Sequence, residues 1–159
     1  MCSRISFPWR DFGARWRLRG RVRIPARNFP KLRCRQHDNE IIPRCFFVEH
    51  DELLKSLTAD IMEDAGFAAL QACDADEALT ILESRSDIAL MLTSVTMPGS
   101  TDGLGLAHTV CKRWPAIKTI IASSQVRLIG SDLTAGSRFF LKPYHAQTMI
   151  SEICSLIGP

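Results

Sequence analysis

Residues 88–103 read IALMLTSVTMPGSTDG, a short apolar run followed by a polar turn with Pro98 and Gly99. The run at 88–92 is too short for a helix and predicts a buried strand. Apolar residues then recur at helical spacing up to Pro115, and they predict a helix: Leu104, Ala107, Cys111 and Trp114. This stretch therefore predicts a strand, a polar loop and a helix in succession.

The same alternation continues on both sides. Short apolar runs predict four more strands, at residues 45–48, 67–70, 117–122 and 139–141. Helical stripes predict three more helices: Leu54, Leu57, Ile61 and Ala65, ended by Gly66; Ala75, Ala78, Leu79 and Leu82, capped by Asp74; and Ile150, Ile153, Cys154 and Ile157. Residues 125–136 are weakly patterned and predict only a short or irregular helix. The prediction is an α/β domain with a five-stranded parallel sheet flanked by helices, of the flavodoxin-like (βα)5 type.

Composition sets limits on location and chemistry. The 159 residues are 46% hydrophobic and 23% charged, as expected for a soluble globular protein. The apolar runs are too short to span a bilayer, so no membrane association is predicted. The six cysteines are scattered without a CxxC pair, which argues against a disulfide scaffold or zinc site and favours the reducing cytoplasm.

Charge divides the chain into a basic leader, residues 1–44, and an acidic domain, residues 45–159. The leader holds 12 of the 20 Lys and Arg but 3 of the 17 Asp and Glu, a net charge of +9, against −6 for the domain. Three interpretations of the leader stay open. It is a disordered tail without specific function, a nucleic-acid or anionic-surface binder using arginines beside Trp9, Phe12 and Trp16, or the product of an over-long gene model.

In an open α/β sheet, functional groups gather beyond the carboxyl ends of the strands. The predicted ends are residues 49–51, 94–96, 123–124 and 142–143. They carry carboxylate, imidazole, hydroxyl and ammonium groups. These residues are the candidates for a functional site.

Three motifs in this order resemble the receiver domain of two-component response regulators: VEHDE at 48–52, LTSVTMPG at 92–99 with the DG of 102–103, and KPY at 142–144. The resemblance covers residues 45–159. It implies a carboxylate at the end of the third strand that accepts a phosphoryl group from a phosphohistidine. It also implies two acids that help hold Mg²⁺, with a hydroxyl and a lysine that bind the phosphoryl oxygens.

This chain keeps only part of that set. Glu49 matches the first acid and Lys142 matches the lysine, but His50 replaces the second acid and Ser94 replaces the phosphoacceptor. Ala122 stands at the hydroxyl position, with Ser123 next to it, and Phe139 matches the aromatic switch position. Because Glu49 and Lys142 sum to zero charge, weak or absent Mg²⁺ binding is predicted. The resemblance thus implies a degenerate receiver that does not phosphorylate itself.

Simple structural roles are predicted for the remaining groups. Ser94 is a small polar side chain bonded to Lys142, and Lys142 pairs with Glu49. Asp51 begins a helix, so its side chain points away from the site. A Ser-His-acid hydrolase built from Ser94, His50 and Glu49 is not expected, because Ser94 lies on no nucleophile elbow. No enzymatic activity is therefore predicted.

The leading hypothesis is an interaction module that binds a histidine kinase, a phosphotransfer protein or another regulator. Two docking surfaces are predicted. One is the first helix with the strand-end loops. The other is the face of the fourth helix (the short or irregular one of residues 125–136), the fifth strand and the last helix, with Phe139, Tyr144 and Met149. Alternatives are a phosphorelay receiver using Asp51 or Thr96 as acceptor, and a nucleic-acid binder acting through the leader.

Overall fold

The computed structural model describes residues 42–124, 133–134 and 136–157. Predictions for the leader up to residue 41, and most of those for the weakly patterned segment 125–136, lie outside these residues. In chain order the elements are β1 (Arg44–Val48), α1 (Glu52–Asp64), β2 (Ala68–Ala72), α2 (Ala75–Ser84), β3 (Ile88–Ser94), α3 (Gly103–Arg113), β4 (Lys118–Ser123), β5 (Arg138–Leu141) and α4 (Ala146–Ile157).

The five strands form one sheet in the order β2-β1-β3-β4-β5. Every neighbouring pair is parallel. The predicted five-stranded parallel sheet is therefore confirmed, and all carboxyl ends lie along one edge. None of the helices in the described ranges has the length and apolar character needed to cross a membrane.

Local sequence sets the helix ends. Asp51, Asp74 and Asp102 cap α1, α2 and α3, and each carboxylate accepts a hydrogen bond from a backbone N–H of the first turn. After α1, Gly66 has a φ of 93°, a conformation that favours glycine. The predicted cap at Asp74 and stop at Gly66 are thus confirmed.

The sheet is covered on both faces. One core packs α2 and α3 against Phe46, Met91 and Ile121 of the strands. The other core packs α1 and α4 against strand residues that alternate with these, such as Phe47 and Leu92. Successive strand side chains point to opposite faces, so a parallel strand buried on both sides is apolar almost throughout.

The predicted buried stripe of α1 is correct at its carboxyl end, where Ile61 and Ala65 pack against the core, but wrong at Leu54 and Leu57. Leu54 and Leu57 are exposed, at 42% and 53%. The buried residues of the helix are instead Lys55, Ala59 and Met62. The i, i+4, i+7 spacing of this second set satisfies the helical period equally well, so periodicity alone did not decide which face is buried.

Candidate functional site at the carboxyl edge of the sheet

The sheet order brings the predicted residues together. The central strand β3 ends in Ser94, and its neighbours β1 and β4 end beside it. Glu49 directly follows β1, and Lys142 directly follows β5. These three side chains come from sites far apart in the chain and meet at one edge because all strands are parallel.

Glu49, Ser94 and Lys142 form a closed hydrogen-bonded cluster. The Ser94 hydroxyl donates to Glu49 Oε2, with 2.5 Å between the oxygens. Lys142 Nζ donates to the Ser94 hydroxyl and to the same Glu49 oxygen, each at 2.5 Å. Both predicted contacts of Lys142 are present in the structure. The ammonium group is thus neutralised within the chain.

Glu49 is the centre of this cluster and is only 8% exposed. Its second oxygen, Oε1, accepts from the backbone N–H of Asp51 at 3.1 Å. Burial by itself raises the pKa of Glu49, but the hydrogen bonds from Lys142, Ser94 and Asp51 outweigh it and lower the pKa below its ordinary value of 4.5. The site therefore holds a carboxylate that is ionised and satisfied.

His50 and Asp51 do not join the cluster through Ser94. The exposed His50 ring places Nδ1 3.2 Å from Glu49 Oε1, on the side of Glu49 away from the hydroxyl contact. The Asp51 carboxylate accepts from the N–H groups of Leu53 and Leu54, each at 3.0 Å. Its side chain is occupied as a helix cap, so neither residue is positioned as a base for Ser94.

The end of β4 contributes two residues. Ala122 pairs with Ser94 in the register between β3 and β4. Ser123, one residue later, is buried and lines the same cavity, as does the exposed Thr96. The cavity wall therefore includes hydroxyl-bearing residues besides the Ala122 methyl group.

The cavity extends from the cluster to α1 and has a volume of about 660 Å³. Its floor is Glu49, Ser94 and Lys142, and its apolar wall is formed by Leu54, Leu57, Ile61, Pro143, Tyr144 and Ala146. Sequence analysis missed the leucines as lining residues, because it assigned them to the core. Only the orientation of α1 reveals their role.

The fourth helix of the second predicted docking surface lies largely outside the described residues, and the placement of Phe139, Tyr144 and Met149 on that surface needs correction. Phe139 packs against the core shared with α2 and α3, whereas Tyr144 packs against the opposite core. The Tyr144 ring meets Phe140 edge to face at 5.7 Å and lies beside the α1 cavity. Met149 is fully buried. Phe139 and Tyr144 thus lie on opposite sides of the sheet and do not share one surface.

The residues present do not fit Mg²⁺. The cation prefers several carboxylate, carbonyl or water oxygens in octahedral geometry. Glu49 Oε2 already accepts from an ammonium group and a hydroxyl, and His50 offers an imidazole instead of an oxygen. Within the described ranges there is no group of three His, Cys, Asp or Glu residues that could hold a metal ion.

The family model and the similar proteins of known sequence point to the same family. The family model described as "Response regulator receiver domain" matches residues 45–153. "Putative response regulator NtrX-like" proteins of Rickettsia bellii and Rickettsia conorii are each 32% identical over 76 residues. That alignment spans 48% of this chain but only 16% of either relative.

Solved structures agree in fold. The receiver domain of the hybrid histidine kinase CckA has 26% identity and a TM-score of 0.63, and the match covers 72% of this chain and 99% of that one. A CheY-like receiver domain protein of Methanospirillum hungatei has 24% identity and a TM-score of 0.68, covering 74% and 94% of the two chains. The likeness to the Methanospirillum hungatei protein shows a shared fold and nothing more.

Proposed function

The chain belongs to the response regulator receiver domain family, and from that premise we propose that residues 45–159 act in two-component signalling as an interaction module independent of their own phosphorylation. Receiver domains interact with histidine kinases and phosphotransfer proteins, and the proposal keeps these partner classes, with another regulator as the third. The domain would work in the cytoplasm, where such partners present their phosphohistidines.

One observation carries the proposal: Ser94 stands at the end of β3, where the family resemblance places the phosphoacceptor carboxylate. A serine hydroxyl needs an adjacent base to become a nucleophile. Here the neighbouring carboxylate is Glu49, which accepts from the Ser94 hydroxyl but is a weak base because it is already paired with Lys142. Ser94 also accepts a hydrogen bond from that ammonium group. Lys142 is therefore engaged before any phosphoryl group arrives.

The exposed face of α1 supports the docking part of the proposal. Leu53, Leu54 and Leu57 of α1 are 77%, 42% and 53% exposed, and Leu54 and Leu57 also form part of the cavity wall. A contiguous patch of exposed apolar side chains is typical of a protein contact surface. Among the described residues, these leucines therefore favour the first predicted docking surface, α1 with the strand-end loops.

The phosphorylation test uses the full chain with acetyl phosphate and Mg²⁺, read by intact mass. We expect no phosphoryl adduct on the wild-type chain. Ser94→Asp restores the acceptor carboxylate, and Ser151→Asp adds the same charge at an exposed position of α4. An adduct that appears only on Ser94→Asp would show that the missing carboxylate alone silences the site.

An adduct on the wild-type chain would overturn the proposal. It would favour the alternative phosphorelay receiver, and peptide mapping would identify the acceptor. Thr96 is exposed at the cavity, whereas Asp51 is engaged as the cap of α1. The absence of an adduct on every variant would agree with the proposal. It would also show that the rest of the pocket no longer supports phosphorylation.

The docking test compares Leu54→Glu with Leu141→Glu. Both leucines are exposed, at 42% and 55%, but Leu141 lies on β5 and is not part of the cavity wall. Binding to the purified histidine kinases and phosphotransfer proteins of the source organism is measured for both. We expect Leu54→Glu to weaken binding by roughly tenfold or more, as for an interface anchor, while Leu141→Glu leaves it unchanged. Equal binding by both variants would refute docking through α1.

A further inference from the structure

A second cluster of reactive groups lies outside the Glu49, Ser94 and Lys142 site. Lys55, on the buried face of α1, is only 7% exposed. Its Nζ donates to Cys73 Sγ at 3.0 Å and to Glu52 Oε1 at 2.8 Å, and Cys73 Sγ itself lies 3.9 Å from the same Glu52 oxygen. A lysine is rarely buried without a negative partner, because removing its charge from water is costly. The cluster therefore joins a buried ammonium group, a thiol and a carboxylate.

The charge state of Lys55 agrees with this geometry. Burial lowers the pKa of Lys55, but its hydrogen bonds to Glu52 and Cys73 and the charges of those groups outweigh burial, so the pKa is raised overall. The amine thus stays protonated next to the sulfur. An ammonium group beside a thiol favours the thiolate, which is the nucleophilic form of cysteine.

Backbone contacts hold Cys73 in place for this interaction. It follows β2 and precedes the α2 cap Asp74. Its N–H donates to Glu77 Oε2 at 2.8 Å, while the N–H of Glu77 donates to Asp74 Oδ1 at 2.8 Å. Cys73 is also half-buried and so remains in contact with solvent.

We propose that Cys73 is a peroxide-reactive thiol whose thiolate form is stabilised by the ammonium group of Lys55. The thiolate sulfur attacks one oxygen of hydrogen peroxide, an S–O bond forms, the O–O bond breaks and hydroxide leaves. Sulfur is oxidised by two electrons, the peroxide is reduced, and the hydroxide takes a proton from solvent to become water. The product is a sulfenic acid at Cys73. Lys55 is a positioning residue in this step.

The test treats the full chain with a small excess of hydrogen peroxide, traps sulfenic acid with a 1,3-diketone reagent and measures the labelling of each cysteine by peptide mass spectrometry. Cys111 is the internal control, because it is also half-buried. We expect Cys73 to be labelled roughly tenfold faster than Cys111. Equal rates at the two cysteines would overturn the proposal.

Variants of Lys55 test its role. Lys55→Met removes the charge and is expected to bring the Cys73 rate down to that of Cys111. Lys55→Arg keeps the charge and is expected to retain most of the rate, which a purely structural role would not predict. An unchanged Cys73 rate in Lys55→Met would contradict the assignment.

Glu52→Gln keeps the test decisive if Lys55→Met does not fold. The Glu52 side chain is 75% exposed, so this change does not disturb the core. It removes the carboxylate that competes with the sulfur for the ammonium group, which leaves the thiolate as the stronger partner. We expect Cys73 to react several-fold faster in this variant. A slower or unchanged rate would overturn the proposal.

Discussion

Glu49 and Lys142 are 93 positions apart in the chain, yet Glu49 Oε2 accepts a hydrogen bond from Lys142 Nζ at 2.5 Å. Their side chains are 11% and 20% exposed, so the ion pair is largely shielded from water. It joins the residue after β1 to the residue after β5 and encloses the Ser94 hydroxyl. Every buried side-chain nitrogen or oxygen in the described ranges has a hydrogen-bond partner. At this edge of the sheet, the charges of Glu49 and Lys142 therefore neutralise each other.

Lys142→Met tests how much this pair stabilises the fold. It leaves the buried Glu49 carboxylate without its cation, which is costly because a charge away from water needs a partner. We expect the free energy of unfolding, measured by urea denaturation, to fall by about 2–3 kcal/mol. Arg138→Met is the matched control, since it breaks the exposed pair between Arg138 and Glu152, and a loss below about 1 kcal/mol is expected.

The double variant Glu49→Gln with Lys142→Met removes both charges. We expect it to be more stable than Lys142→Met alone, because no unpaired carboxylate remains in the site. Equal unfolding free energies for the single and double variants would show that the loss comes from the packing of the Lys142 stem instead of from charge.

The pH dependence of stability follows from Glu49. Its pKa in the folded chain lies below the ordinary value of 4.5. The contribution of Glu49 to the free energy of unfolding is fully present above about pH 4.5. It is lost as the pH falls through the lower pKa of the folded state, since the unfolded state then binds a proton that the folded state does not. We expect the unfolding free energy to drop less between about pH 7 and about pH 3 in Glu49→Gln than in wild type. Glu83→Gln, at an exposed pair, should retain the wild-type drop.

The orientation of α1 is tested by a pair of truncations. Met62 is fully buried and Leu53 is 77% exposed. Met62→Ala is expected to lower the unfolding free energy by about 2–5 kcal/mol, because it leaves a cavity in the core. Leu53→Ala is expected to change it by less than about 0.5 kcal/mol. Comparable losses from both changes would contradict the observed helix face.

The close approach of α3 to β3 is tested at Gly103. A Cβ atom there would lie 1.8 Å from the Ser94 carbonyl oxygen, which belongs to the backbone and cannot rotate away. We expect Gly103→Ala to lower the melting temperature by several degrees through the overpacking it forces. Gly105→Ala is the matched control. Its Cβ would meet the Thr101 hydroxyl at 2.2 Å, a side-chain atom that is free to move, so a smaller shift is expected.

Much of the fold was predictable from local patterns. Apolar runs predicted all five strands to within a few residues, and the caps at Asp74 and Gly66 marked helix ends correctly. The α1 face was not predictable in the same way. Both the leucine stripe and the set of Lys55, Ala59 and Met62 recur at helical spacing. The second set is the buried one, but it contains a lysine, a residue that is almost never buried, so the sequence favours the wrong face.

The order of strands and helices, the family resemblance and the replacement of the expected acceptor by Ser94 could all be read from the amino-acid sequence, because they depend on residue types and local spacing. The pairing of side chains at the carboxyl edge depends on the folded arrangement: Lys142 pairs with Glu49 and Ser94, and Lys55 pairs with Cys73. Tyr144 likewise lies beside α1 because of packing across the sheet, on the side opposite Phe139. Such contacts join residues distant in the chain, and their geometry depends on how helices rotate against the sheet, which sequence spacing does not specify.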